Sequence, residues 1–275
     1  MTGLLANIGE SVGYTFRNTV CRPFFWIGML IVALIMLVCI GVGASIIGEA
    51  AVTVSGTSPV VLGIVLIVIG ILLAFFFNGL QVQIFANKTL TFKGFFGTIG
   101  RGIQLAIINL IYSIIILIFY GICTAVGIFG GSGLGFGNAI EALFAGSVPV
   151  LFPNGVTPLT LAMFIILILL TIFFGIFAIA ADVNFARAGK FGAAFHFGEI
   201  CRRIGVFGVL KFIVAIILFI ILMAIISVVL ALLLALVAMI PVPVAAGIIA
   251  AILVLLFFPF LLILPAKYFS NLFIN

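Results

Sequence analysis

Long apolar runs alternate with short mixed segments along the whole chain. Six of the runs can cross a bilayer as helices, at residues 24–47, 60–77, 102–129, 159–181, 206–240 and 242–265. About 20 apolar residues span a hydrocarbon core of roughly 30 Å, so each run is read as a transmembrane α-helix. The fifth is too long for a perpendicular crossing at about 1.5 Å per residue. It is expected to tilt, or to begin in the headgroup layer where Lys211 snorkels. Pro241 and Pro243 break the chain after it and predict a tight hairpin into the sixth.

The mixed segments before the odd-numbered spans carry helical periodicity of their own. In the first, Leu5, Ile8 and Val12 share a face, with Glu10, Tyr14 and Arg17 on another. In the second, Phe92, Phe95/Phe96, Ile99 and Ile103 fall together, apart from Lys93, Gly97 and Arg101. In the third, Ala193, Phe197, Ile200 and Ile204 oppose His196, Glu199 and Arg203. The pattern predicts three short amphipathic helices lying in the membrane interface. The fold class is therefore all-α integral membrane: six transmembrane helices and three interfacial helices in a single polytopic domain over residues 1–275.

Composition excludes the soluble alternatives. Of 275 residues, 67% are hydrophobic and 6% charged, too few charges to cover a water-facing surface, where about a quarter is usual. All 11 Lys and Arg fall in the segments on one side of the six spans. That side also holds Glu10, Asp182 and Glu199, a balance of +8, while the other carries Glu49 and Glu141; together they give the formal +6. Lys/Arg bias marks the cytoplasmic face, so both termini are expected in the cytoplasm and the protein in the plasma membrane. Lys88, Lys93, Arg101, Arg187, Lys190, Arg202 and Arg203 are the candidate contacts to anionic headgroups. Basic residues dispersed among Phe and Ile do not suit nucleic acid. No cleaved signal peptide is expected, because about twenty mixed residues precede the first span.

Two segments are related. Gly97-Thr98-Ile99-Gly100-Arg101-Gly102-Ile103 aligns with Gly198-Glu199-Ile200-Cys201-Arg202-Arg203-Ile204, and Gln81-Val82-Gln83 with Asp182-Val183-Asn184 at the same offset. The alignment predicts three parallel units of interfacial helix, span, loop and span, over residues 1–85, 86–185 and 186–275.

The run from Asp182 to Phe191, followed by Ala193-Ala194-Phe195-His196-Phe197-Gly198-Glu199-Ile200, resembles a recurring motif of an uncharacterised polytopic membrane family. That family is a domain of unknown function, frequent in methanogenic archaea. The layout is similar, more distantly, to the membrane portion of membrane-bound glycerophosphodiester phosphodiesterases, without their catalytic domain. The specific likeness covers about thirty residues. It implies a fold and a location and no activity. His196 departs from the motif, in which an acidic residue is frequent.

Little chemistry is written in the chain. His196 is the lone histidine, and a metal site needs more ligands. No Ser-His-Asp set, CxxC or HExxH occurs, and the Gly-rich stretch at 130–137 lacks the lysine of a phosphate loop. It reads as an outer loop, with a short helix at 138–145. Cys21, Cys39, Cys123 and Cys201 suggest neither a disulfide nor zinc; they are inert small residues or, for Cys21 and Cys201, acylation sites. No catalytic residue, cofactor or metal is expected.

Two patterns remain. Thr171, Gly175, Ala178 and Asp182 share a face of the fourth span, and Asn78, Gln81 and Gln83 close the second. With Asn184 and Asp182, these amides form either an inner vestibule for a cation or headgroup, or helix caps that bind Arg101, Arg187 or Arg202. Ala224, Ser227, Ala231, Ala235 and Ala238 form a small-residue stripe on the fifth span, a packing face for the sixth span or for self-association. Ionisable residues are missing from the span centres, where polarity is limited to residues such as Asn109, Ser113 and Thr171. The leading expectation is a non-enzymatic scaffold, assembly or lipid-associated component, partnered by the bilayer and by another copy or another membrane protein. A transporter or channel for a small or lipid-like solute is the alternative.

Overall fold

The computed structural model describes residues 2–19, 21–53, 57–92, 94–125 and 157–273. The elements in chain order are α1 (Thr2–Thr19), α2 (Pro23–Thr53), α3 (Thr57–Phe85), α4 (Phe95–Ala125), α5 (Pro158–Ala188), a 3₁₀ segment (Phe191–Phe195), α6 (Phe197–Phe207), α7 (Val209–Ala238) and α8 (Pro243–Leu272). Lys93, Glu141, the Gly-rich stretch and the helix expected at 138–145 lie outside the described residues. Six helices, α2 to α5 with α7 and α8, are long and apolar enough to cross a membrane, and the chain is a multi-pass membrane protein. Each has 29 to 31 residues, about 45 Å of helix, which exceeds the hydrocarbon core. The excess lies mainly where the basic residues are.

Local chemistry explains several boundaries. Thr157 and Thr160 cap the start of α5 reciprocally: Thr160 N–H donates to Thr157 Oγ1 at 3.2 Å and Thr157 N–H to Thr160 Oγ1 at 2.8 Å. Pro158 follows, where its missing N–H costs nothing. Pro243 opens α8 in the same way. Gly208, at φ +89°, separates α6 from α7. The long fifth run is thus divided, and Lys211 falls in the first turn of a 30-residue span.

The described chain forms two compact units, Met1–Ala106 with Ala180–Asn275, and Ile107–Ile179. In the second unit, polar side chains turn onto their own helices. Ser113 Oγ donates to Asn109 O at 2.7 Å, Thr124 Oγ1 to Tyr120 O at 2.7 Å and Thr171 Oγ1 to Leu167 O at 2.8 Å. Leu110, Ile118, Ile122 and Leu169 stay exposed, as suits helices facing acyl chains.

The first unit holds the well-packed core. Here α2 and α3 meet backbone to backbone through glycines. A Cβ on Gly43 would lie 2.7 Å from Gly63 O, and one on Gly63 2.8 Å from Gly43 O. Lipid gives no hydrophobic drive between spans, so close approach by small residues supplies the dispersion contact. The start of α4 crosses α3 more closely still. A Cβ on Gly79 would collide with Thr98 O, and one on Gly102 with Phe75 O. α8 is the hub. Phe258 contacts Phe77 of α3 at 4.9 Å between ring centroids, Tyr268 stacks on Phe219 of α7 at 5.1 Å, and Phe260 meets Phe16 of α1 at 5.8 Å.

The interfacial segments differ from the sequence pattern in instructive ways. The second is no separate helix; its residues from Phe95 onward form the first turns of α4, and Phe92 precedes them. It buries Thr98, Gly102 and Leu105 and leaves Phe96 85% exposed. α1 buries Ser11, Thr15, Asn18 and Thr19 and exposes Leu5 and Phe16. Its inward face is therefore polar. The hydroxyls are satisfied on α1 itself, Thr15 Oγ1 on Ser11 O and Thr19 Oγ1 on Thr15 O, both at 2.8 Å, so small polar residues pack like alanine. In α6, Ile200 and Ile204 are buried as expected, but Phe197 is exposed.

The stripe on the fifth span does not carry its packing here. Ala224, Ser227, Ala231, Ala235 and Ala238 are all exposed. α7 meets α8 through Ala215, Phe219 and the buried Tyr268, whose hydroxyl donates to Ala215 O at 2.8 Å.

Candidate functional site

The polar residues converge where α3, α5 and α8 end. α3 ends at Phe85, and Asn87, at φ +53°, closes it in a Schellman arrangement: Lys88 N–H reaches Gln83 O and Asn87 N–H reaches Ile84 O, both at 2.9 Å. One turn earlier, Gln83 grips the returning chain. Its Oε1 accepts from Thr91 N–H at 3.1 Å, and its Nε2 donates to Thr98 Oγ1 at 3.2 Å. α5 ends in the simpler left-handed cap: Gly189, at φ +67°, donates its N–H to Phe185 O at 2.8 Å, and Asn184 Nδ2 donates to Ala193 O at 2.7 Å. Buried side-chain amides can satisfy both a donor and an acceptor, which suits them to tie a helix end to a loop.

Three cations also bind inward. Arg22 donates to Leu90 O at 3.1 Å and lies 5.1 Å from the Phe25 ring centroid. Arg187 donates to Phe273 O at 2.8 Å and Ser270 O at 3.1 Å, capping the last carbonyls of α8, where a cation also suits the helix dipole. Lys267 donates to Asn87 Oδ1 at 3.2 Å, with the Tyr14 ring centroid at 5.0 Å and Glu10 at 4.0 Å. Burial pushes the Tyr14 hydroxyl up from its ordinary value, and the nearby Arg22 charge partly opposes that. Lys88, Arg101, Lys190 and Arg202 remain exposed. Arg203 lies on α6.

Two clefts flank these turns. The first, of about 510 Å³, lies between the end of α3 and the start of α4. Gln83, Lys88, Thr89, Thr91, Thr98 and Arg101 line it, with Gly94 and Gly97. The second, of about 590 Å³, follows α5 and is lined by Asn184, Arg187, Lys190, His196 and Glu199, with small residues between. Gln83 belongs to one and Asn184 to the other, and the clefts share no lining residue. Asp182 lines neither and is 7% exposed on α5; Asn78 and Gln81 are half-buried on α3. Gln83 and Asn184 therefore each hold a turn. The sequence pairing of Gln83 with Asn184 pointed to both turns. The hydroxyl residues Thr89, Thr91 and Thr98 carried no signal in the pattern, because only folding brings them around Gln83.

Residues 86–236 match the family described as "Protein of unknown function (DUF4013)". The match covers more than half of the 275 residues, and the chain belongs to that family. The matched stretch includes every residue lining the second cleft and all but Gln83 of the first. No curated protein and no solved structure matches the chain.

Proposed function

We propose that this DUF4013 member is a non-enzymatic, lipid-associated component of the plasma membrane, with both termini in the cytoplasm. One observation carries the reading. The polar contacts are concentrated at the basic end of the spans, while much of the remaining span length presents Ile, Leu and Val outward. Such a molecule offers acyl chains an apolar flank and anionic headgroups a basic rim. The parallel construction of the α3 and α5 turns supports three two-span units. In this reading α1, α6 and the first turns of α4 are the amphipathic segments that enter them from the cytoplasm. The bilayer is the principal partner, and the exposed alanine stripe leaves self-association or another membrane protein as a further one.

A transporter or channel is the competing reading, favoured by the buried Asp182 on α5. Reconstitution in sealed vesicles separates the two. Lipid association predicts ion and small-solute leak equal to that of protein-free vesicles, together with retention of anionic lipid through purification. Sustained flux that Asp182→Asn removes without loss of thermal stability overturns it. Orientation is read from Cys21 and Cys201, both free and exposed. A membrane-impermeant maleimide should label them in inside-out vesicles and leave them unlabelled in right-side-out ones.

A further inference from the structure

We propose that the cleft between α3 and α4 is a binding site for a phosphate group, supplied by an anionic lipid headgroup. The lipid source rests on the lipid-associated reading above; the phosphate chemistry does not. The lining combines two cations, Lys88 and Arg101, with the hydroxyls of Thr89, Thr91 and Thr98 and the amide of Gln83. No carboxylate is among these residues; Gln83 is committed to Thr91 and Thr98, so Lys88 and Arg101 supply the charge and the threonine hydroxyls the neutral donors. Arg and hydroxyl donors suit phosphate oxygens in geometry and charge. The positive end of the α4 dipole adds to the same preference. The volume of about 510 Å³ falls within the roughly 300–1,000 Å³ of small-molecule sites.

The cleft is preformed. Gln83 ties Thr91 and Thr98 together across it. Behind it, Phe92 stacks on Phe76 at 5.5 Å and packs against Phe25 at 5.0 Å, and Phe95 stacks on Phe76 at 4.7 Å. Gly28 makes room for the Phe92 ring, which a Cβ there would meet at 2.9 Å. Lys88 and Arg101 form no ion pair among the described residues. Phe96, the large side chain left 85% exposed, stands between the lining residues Gly94 and Gly97. An apolar ring next in sequence to the lining of a basic cleft is what a headgroup with its acyl chain requires. The cleft after α5 is an internal control. It holds the carboxylate of Glu199 beside Arg187 and Lys190, and Arg187 is committed to the carbonyls of α8.

The test uses the full chain in mild detergent, with lipid binding followed by native mass spectrometry. Dioleoyl phosphatidylglycerol and dioleoyl phosphatidylcholine are titrated separately, and inorganic phosphate by calorimetry. In the Lys88→Gln/Arg101→Gln double variant, phosphatidylglycerol affinity should fall by roughly 10- to 50-fold, with phosphatidylcholine unchanged. Lys190→Gln should stay within about twofold of the parent. Lys88→Arg/Arg101→Lys, which keeps both charges, should retain binding and shows that loss reflects charge and not folding. Unchanged phosphatidylglycerol affinity in the double variant, or an equal loss in Lys190→Gln, overturns the site while leaving lipid association standing. Phosphate binding that needs Lys88 and Arg101, with no competition from phosphatidylglycerol, upholds the phosphate site and overturns its lipid source.

Discussion

The two ends of a single span behave as different materials. On α7, Phe212 and Ala215 near the basic end are fully buried, whereas Leu232, five turns on, is 62% exposed. On α3, Phe76 and Leu80 are enclosed while Val61 and Leu62 are not. Apolar side chains fill both regions, so hydrophobicity does not distinguish them. Within hydrocarbon one aliphatic contact is as good as another, and a helix gains little by choosing its neighbour. At the basic end, hydrogen bonds between elements and the glycine crossing of α3 with α4 have single solutions; toward the other end only the Gly43–Gly63 crossing of α2 with α3 is comparably specific.

Stability measurements on variants can break or sharpen that contrast. The largest effect is expected at the α3–α4 crossing. Gly102→Val places atoms where Phe75 O already sits and should cost about 3 kcal/mol or more, seen as a lost or strongly lowered transition in detergent melts. Gln83→Ala comes next. It removes the bonds to Thr91 and Thr98 and should cost about 2 kcal/mol, with faster hydrogen exchange at Thr91. Tyr268→Phe deletes the hydroxyl bond to Ala215 O but keeps the ring stacked, for about 1 kcal/mol. Leu232→Ala, facing lipid, should change stability by less than about 0.5 kcal/mol. If Leu232→Ala rivals Tyr268→Phe in the same assay, the contrast between the ends fails.

The sequence told the six spans clearly because their signal is the length of an apolar run, which no tertiary contact can hide. It misplaced their basic ends for one recurring reason. α3 continues eight residues past Phe77, to Phe85, because Gln83 is buried and Asn78 and Gln81 are half-buried, not left at a water interface. α8 likewise runs through Pro265 to Leu272, held by Tyr268, Ser270 and Arg187. Ser270 Oγ donates to Phe85 O at 3.3 Å. Periodicity marked which residues of α1 are apolar but not which face is inward, since small hydroxyl residues satisfied on their own helix pack as alanine does. Small-residue spacing singled out α7, while Gly43, Gly63, Gly79 and Gly102 make the close crossings. Spacing along one helix cannot report whether a partner's glycine stands opposite. The site was legible in its paired amides and basic residues, and silent in the threonines that complete it.

The contact of α1 with α8 sets an order for biogenesis. Asn7 Nδ2 donates to Tyr268 O at 3.2 Å, across 261 residues of chain. α1 leaves the ribosome well before α8, the span on which its docking surface lies. Until then the serine, threonine and asparagine face of α1 waits at the membrane surface, its hydroxyls bonded to its own backbone and its packing partner absent. Insertion of spans can proceed pair by pair, but closure of the basic end is a single late event. A chain stalled before α8 would be membrane-embedded yet open at that end, a form that quality-control proteases could tell from the finished molecule.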